Sequence, residues 1–446
     1  MNVAQAPDTN ENILQLFLTI ITLTFTGPRI AAVSNIWYTY HWLSGRYPWA
    51  TEKVLKKYGD VIRIAPNELL FFTPEAFTGQ FEKNIGLADK LDINDRGDKH
   101  GGLGFERDAV RHRNVSKQVA PASSPKSTRA KEPRVHKYID TFVSKMRTHG
   151  SGVKNSSFLD VLLGFNAYTT IEQVSKRFLI LGKLKYVFIP FSRIQSMKDM
   201  NQTSREQLHR RIEKKGNTEH LDLFEQLVPP GRTVPSDPDE FRHLEQVATQ
   251  LLFAGFEPVS SWIYSTLFQL AKHPNCLDIL TAEIRGAFDH YDDILSSALA
   301  KLEYLNACLE ESMRLLPSNN TGLPRVSPGA TIDKTYVPLG VTVQTSMFAT
   351  TRSARFFRDP ARFNPQRWLN EQHPIDVFPF SQGPRQCPGK NIAWMQVRLF
   401  VGKVLWTFDM NQVPGTELDF ERDLITYGFW VKPELRINFI EKQREP

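Results

Sequence analysis

The chain has 446 residues, 41% hydrophobic and 23% charged, with 30 Phe, 12 Tyr and 8 Trp to fill a large core, which excludes a chain disordered as a whole. No fixed-period repeat or long low-complexity tract is present, which excludes a solenoid or fibre. Three widely spaced cysteines without a C-x-x-C pair favour neither a disulfide framework nor a zinc site, and a net charge of +7 spread along the chain does not call for nucleic acid.

An apolar run from Ile13 to Phe25 follows Asp8 and Glu11 and precedes Arg29, a charge order that suits a cytoplasmic body. It is shorter than the ~20 residues that cross a bilayer, so spanning, interfacial anchoring and a buried helix all stay open. Lys57 to Phe77 reads as two short strands and a helix start, with Pro66-Asn67-Glu68 as the turn. Nine basic residues lie between Arg107 and Lys137, either a solvated face or a docking surface for an acidic redox partner. Glycines 97, 101, 102 and 104 mark a loop, and most of the remainder is helical.

Between Phe241 and His273 the apolar residues recur at spacings of three and four, which predicts one unusually long helix; Gly255 and Pro258 inside it predict a bend. Leu302 to Pro317 is a second amphipathic helix ended by proline, with Glu311 and Arg314 placed for an i,i+3 ion pair. Cys276 and Cys308 lie in helical apolar contexts as small hydrophobes. After Pro324 comes strand-and-turn material, and the C-terminal part is a helix followed by strands.

Phe380 to Gly389, FSQGPRQCPG, carries the most specific chemistry. Pro388 occupies the first-turn position that proline favours and so puts Cys387 at the N-cap of a helix through Phe408, where free N–H groups and the dipole favour a thiolate. Gly383 and Gly389 permit close backbone approach to a flat cofactor, Phe380 can cover the sulfur side, and Arg385 can pair with an anionic substituent.

The segment resembles the haem-binding loop F-x-x-G-x-R-x-C-x-G of the cytochrome P-450 family at every fixed position. The resemblance implies a mainly α fold with small β-sheets, haem b held between the long bent helix and the cysteine-loop helix, and Cys387 as the axial iron ligand. The domain so implied covers 28–446, with 1–27 a membrane anchor or interfacial helix. Glu311 and Arg314 resemble the family's E-x-x-R, and FNPQRW resembles the segment whose arginine, here Arg367, completes a structural triad. Propionate partners map onto Arg325 and onto His112 or Arg113.

Ala254 to Pro258, AGFEP, resembles the family's A-G-x-[D/E]-T, with Glu257 as relay acid; Pro258 replaces the hydroxyl residue, for which Ser260 or Ser261, an ordered water or the substrate's own hydroxyl can substitute. The implied activity is monooxygenation of a lipophilic small molecule such as a terpenoid or polyketide, using O2 and NADPH through a cytochrome P-450 reductase at the cytoplasmic face of the endoplasmic reticulum. A haem-thiolate isomerase or dehydratase that does not use O2, and a non-catalytic haem-binding relative, are the alternatives. Pocket walls map onto Leu87 to Phe105, Leu252 to Ser261, Val326-Ser327 and Phe429 to Val431, beneath a roof region, Asp160 to Arg211, shorter than the family's. The style of the motifs resembles filamentous-fungal members of secondary metabolism.

Overall fold

A computed structural model describes residues 25–73, 76, 102–149, 157–178, 189–214, 227–228, 231, 233, 235–370 and 379–443. The apolar run at 13–25 falls almost wholly outside them, as do the helix start after Phe71 and most of the expected wall at 87–105. Among the described residues, no helix is long and apolar enough to cross a membrane.

The chain is mainly helical with small sheets, as its periodicities predict. Helices α1 (Arg29–Val33), α2 (Ile36–Leu43) and α3 (Tyr47–Tyr58) lead into strands β1 (Val61–Ala65) and β2 (Glu68–Phe71), joined by the turn at Pro66-Asn67. There follow α4 (Ala109–Val119), α5 (Pro125–His149), α6 (Ser157–Ser175), α7 (Phe191–Glu213), α8 (Pro238–Lys272), α9 (Pro274–Ala287) and α10 (Glu303–Leu315). Strands β3 (Arg325–Ile332) and β4 (Thr335–Thr345) complete a four-stranded sheet of order β1-β2-β4-β3, in which β2 and β4 run parallel. Then come α11 (Lys390–Thr407), β5 (Phe408–Gln412), the hairpin β6 (Ile425–Tyr427) and β7 (Phe429–Val431), and β8 (Ile437–Glu441), which pairs with β5.

Local chemistry fixes the boundaries. The Asp108 side chain caps α4 by accepting the Arg111 N–H at 2.7 Å. Asp237 caps α8, whose first residue is Pro238, and Pro274 opens α9 directly beyond it. The 35-residue α8 stays helical through Pro258, although an interior proline costs about 3 kcal/mol. Its packing carries that cost. Trp262 and Leu270 sit in the main core with Leu305 and Leu309 of α10 and Val397 and Val401 of α11.

Polar side chains clamp α8 onto α10. Trp262 Nε1 donates to the Leu309 carbonyl at 2.9 Å, Ser265 Oγ donates to the Ser312 carbonyl at 2.9 Å, and Thr266 and Ser312 share a hydroxyl bond of 2.7 Å. Every polar group in that seam therefore has a partner, which lets a buried helix pair carry hydroxyls without a desolvation penalty.

Candidate active site

Cys387 sits in a loop closed by its own N–H, which donates to the Phe380 carbonyl at 2.9 Å. One 3-10 turn, Gly383–Arg385, lies inside that closure. Gly383 has φ +71°, a left-handed conformation in which a side chain is strained. Ser381, at φ +58°, carries such strain already.

The N-cap of α11 is Gly389, not Cys387. The Pro388-Gly389 turn intervenes, so the cysteine stands two residues ahead of the helix cap and not at it. Its sulfur still lies beside the helix start, close to the Gly389 backbone. Protein atoms crowding the sulfur push the thiol above its ordinary range, and the Gly389 N–H pulls the other way. The residue nevertheless remains solvent-accessible. Gly389 has an ordinary backbone, and a Cβ there would stand 3.7 Å from the Cys387 sulfur. The Phe380 ring meets Trp262 of α8 edge-on with centroids 6.0 Å apart, so it bridges the loop to the long helix.

Arg385 ties this loop to the start of α4. Its Nη1 donates to the Glu106 carbonyl at 2.7 Å and its Nη2 to the Arg107 carbonyl at 3.3 Å. His112, one turn into α4, is buried and lies within hydrogen-bond distance of Ser116 Oγ, at 3.3 Å from Nε2. Arg113, its alternative, is exposed. Arg325 is buried at the first position of β3, where Nη1 donates to the Pro324 carbonyl at 3.1 Å. Of the basic residues between Arg107 and Lys137, Arg111, Arg113, Lys117, Lys126, Arg129 and Lys137 are exposed. Lys131 is not: its Nζ is buried on the Ala122 carbonyl and Ser127 Oγ, at 2.8 and 2.6 Å.

The spacing of Glu311, Arg314 and Arg367 closes into one buried network. Arg314 Nε and Nη2 donate to the two Glu311 oxygens at 2.8 and 2.9 Å, and Arg367 Nε donates to Oε1 at 3.0 Å. Trp368 Nε1 and the Asn364 N–H complete the shell at 2.8 and 2.9 Å. Burial opposes the charge on Glu311, but Arg314 and Arg367 hold its carboxyl below the usual range. The guanidinium hydrogens left over go to the carbonyls of Thr351, Pro360, Arg362 and Arg358. This network pins the segment 351–368 to α10, and no member of it needs to touch a substrate.

Across the core, Ala254, Gly255 and Phe256 of α8 are exposed, and nothing lies within 4 Å of where a Gly255 Cβ would stand. Glu257 points the other way and is buried. Its Oε1 accepts from Ser261 Oγ at 2.8 Å and from Lys432 Nζ at 2.8 Å. Ser260 Oγ instead donates to the Glu257 backbone carbonyl at 2.9 Å, so the hydroxyl bonded to the carboxylate is that of Ser261. Lys432, just beyond β7, carries no sequence signal except a lone cation closing an apolar strand, and its partner lies 175 residues away. The expected walls at 252–261 and 429–431 do meet, with Phe253 and Phe429 edge-on at 4.7 Å beside Phe165 of α6 and Met200 of α7. Ser327 is tied into the sheet, its Oγ on the Val337 carbonyl at 2.9 Å.

The cytochrome P450 family model matches residues 191–435. Among curated proteins, "Cytochrome P450 monooxygenase TwmD" of Talaromyces wortmannii is 46% identical, covering 94% of this chain and 91% of its own length. "Cytochrome P450 monooxygenase poxC" of Penicillium oxalicum is 31% identical, covering 93% of this chain and 89% of its own. The chain belongs to the cytochrome P450 family. It is a haem monooxygenase that uses O2 and takes electrons from a redox partner, and the isomerase, dehydratase and non-catalytic alternatives find no support. The match to TwmD spans 465 aligned positions, more than this chain contains, so some of that relative's residues have no counterpart here.

The residues present fit a cytochrome P450 haem. The Cys387 thiol is accessible and stands beside the start of α11, the guanidinium groups of Arg325 and Arg385 are of the type that recognises carboxylates, and the bare flank at Gly255 leaves room beside α8. Haem bound through Cys387 would supply the reductive activation of O2, and a thiolate ligand favours O–O cleavage.

Proposed function

We propose that this cytochrome P450 inserts one oxygen atom from O2 into a lipophilic terpenoid- or polyketide-like molecule, with haem b held by Cys387 and electrons drawn from NADPH through a cytochrome P450 reductase. The observation that supports the substrate class is the aromatic contact of Phe253 and Phe429, packed with buried Phe165 and Met200, which makes the ground between α8 and β7 apolar and offers a polar metabolite few hydrogen bonds.

In this reading Arg325, Arg385 and His112 orient the haem carboxylates. Phe380, wedged against Trp262, fixes the distance between the cysteine loop and α8. The Glu311–Arg314–Arg367 network keeps segment 351–368 rigid beneath them. Glu257 holds a proton-accepting carboxylate inside α8, where O2 reduction requires delivered protons. The exposed cations of α4 and early α5 favour an acidic partner surface next to the loop that Arg385 ties down.

Attachment to the cytoplasmic face of the endoplasmic reticulum belongs to the same proposal. Its support is the apolar exposure of Ile30, Val33, Ile36 and Tyr40 on α1 and α2, which follow the apolar run at 13–25. The test is incubation of the holoprotein with a reductase, NADPH and a panel of lipophilic terpenoids and polyketides. A product one oxygen atom heavier, absent without NADPH or O2, is expected; substrate conversion that proceeds without O2 would overturn the reading.

A further inference from the structure

We propose that Lys432 is the entry point of the proton relay of this enzyme, and that with Ser261 it takes over the work of the hydroxyl that Pro258 removes from α8; the proposal rests on the monooxygenase reading. The Lys432 ammonium has three hydrogens, and three acceptors surround it: Glu257 Oε1 at 2.8 Å, Ser261 Oγ at 3.0 Å and Ser260 Oγ at 3.4 Å. Ser261 Oγ spends its own hydrogen on Glu257 Oε1, so it accepts from Lys432 and donates to the same carboxylate.

The two carboxylate oxygens are thereby unlike. Oε1 takes both donors, whereas Oε2 is buried and has no hydrogen-bond partner among the described residues. A buried carboxylate oxygen is costly without a donor, so Oε2 is the atom that would receive a water or a substrate hydroxyl. The burial is graded as well. The Lys432 side chain is 21% exposed and that of Glu257 is 5% exposed, so the cation stands on the solvent side of the acid.

A proton leaving Lys432 Nζ, directly or through Ser261 Oγ, arrives on Oε1. The carboxylic acid so formed turns about its terminal C–C bond, which carries the protonated oxygen to the side where Oε2 stood, and gives the proton there to a water or a substrate hydroxyl, while neutral Lys432 is recharged from solvent. One proton enters and one leaves, no bond between heavy atoms changes, and no oxidant is consumed. Pro258 has no side-chain hydroxyl and no N–H, so it can take no part in the transfer.

The test uses the holoenzyme with a reductase, NADPH and 7-ethoxycoumarin as the probe, comparing wild type with K432M, K432R and the double variant K432M/E257Q. Two readouts separate relay from support. The unfolding midpoint should fall by a few degrees in K432M, which strands a buried carboxylate, and recover in K432M/E257Q, where nothing charged is left. NADPH-dependent O2 consumption should fall about tenfold or more in K432M and stay low in the double variant although its stability has returned, and it should stay low in K432R as well, where the guanidinium keeps the ion pair and the midpoint but does not give up a proton. Consumption at the wild-type rate in K432M or K432R, or recovery of rate along with stability in the double variant, would overturn the proposal by reducing Lys432 to a structural ion pair. A wild-type holoenzyme that consumed no O2 would overturn the monooxygenase reading and the proposal with it; the recovered midpoint of the double variant would then show the pair to be structural.

Discussion

Replacing Glu311 with glutamine keeps the shape of the side chain and removes one charge from a site with no solvent exposure. The carboxylate accepts hydrogen bonds from Arg314, Arg367, Trp368 and the Asn364 N–H, so the variant leaves two buried guanidinium groups without a counter-charge and sets an amide donor against other donors. Breaking a buried pair from one side costs about 3–5 kcal/mol. With about 2.1 cal/mol/K of unfolding entropy per residue, the 446 residues give about 0.9 kcal/mol/K, and the midpoint of holoprotein unfolding should drop by about 3–5 °C. Circular dichroism at pH 7 measures it, with the exposed Glu303→Gln on the same helix as a control that should stay within 1 °C of wild type. The gap should close in acid. Because the folded value of Glu311 is lowered, its contribution is present above its ordinary 4.5 and disappears as pH falls through the depressed value. An E311Q protein with the wild-type midpoint at pH 7 would refute the account of the triad as a charge-dependent clamp.

Other outcomes follow from individual residues. Burial pushes Glu310 up to about 7 against the pull of Lys390 and Arg398, so its ionisation works against folding progressively from pH 4.5 to about 7; E310Q should raise the midpoint at pH 8 and leave it unchanged at pH 4, as paired melts would show. P258T restores a donor within α8 and should raise the unfolding midpoint by up to about 3 °C; a lower midpoint would mean that the surroundings of α8 require proline there. G383A must hold a side chain at φ +71°, and a holoprotein midpoint about 1 °C lower is expected, with an unchanged midpoint contradicting the strain argument.

Much of the site was legible because its chemistry is local. The cysteine loop lies between Phe380 and Gly389, the Glu311–Arg314 pair is one helical turn, and the 3.6-residue period carries α8 through Pro258 against the local propensity. Legibility ended where the decisive contact was remote or turned on one dihedral. Nothing near Lys432 announces a partner 175 residues earlier, and Ser260 and Ser261 are distinguishable only once the helix phase shows which hydroxyl faces the carboxylate. The N-cap moved from Cys387 to Gly389 because a proline suited to a helix start is equally suited to the turn before it. Lys131 reads as one more surface cation, yet the carbonyl at Ala122 and the hydroxyl of Ser127 take its charge inside.

The central claim is that Cys387 supplies the thiolate of a cytochrome P450 haem. The carbon monoxide difference spectrum of the reduced holoprotein tests it most directly, because the position of the Soret band reports the atom opposite the bound gas. Wild type should show the red-shifted thiolate band and Cys387→Ser should lose it while the protein stays folded; a folded, haem-loaded wild type without the shift, or a C387S protein that keeps it, would contradict the assignment.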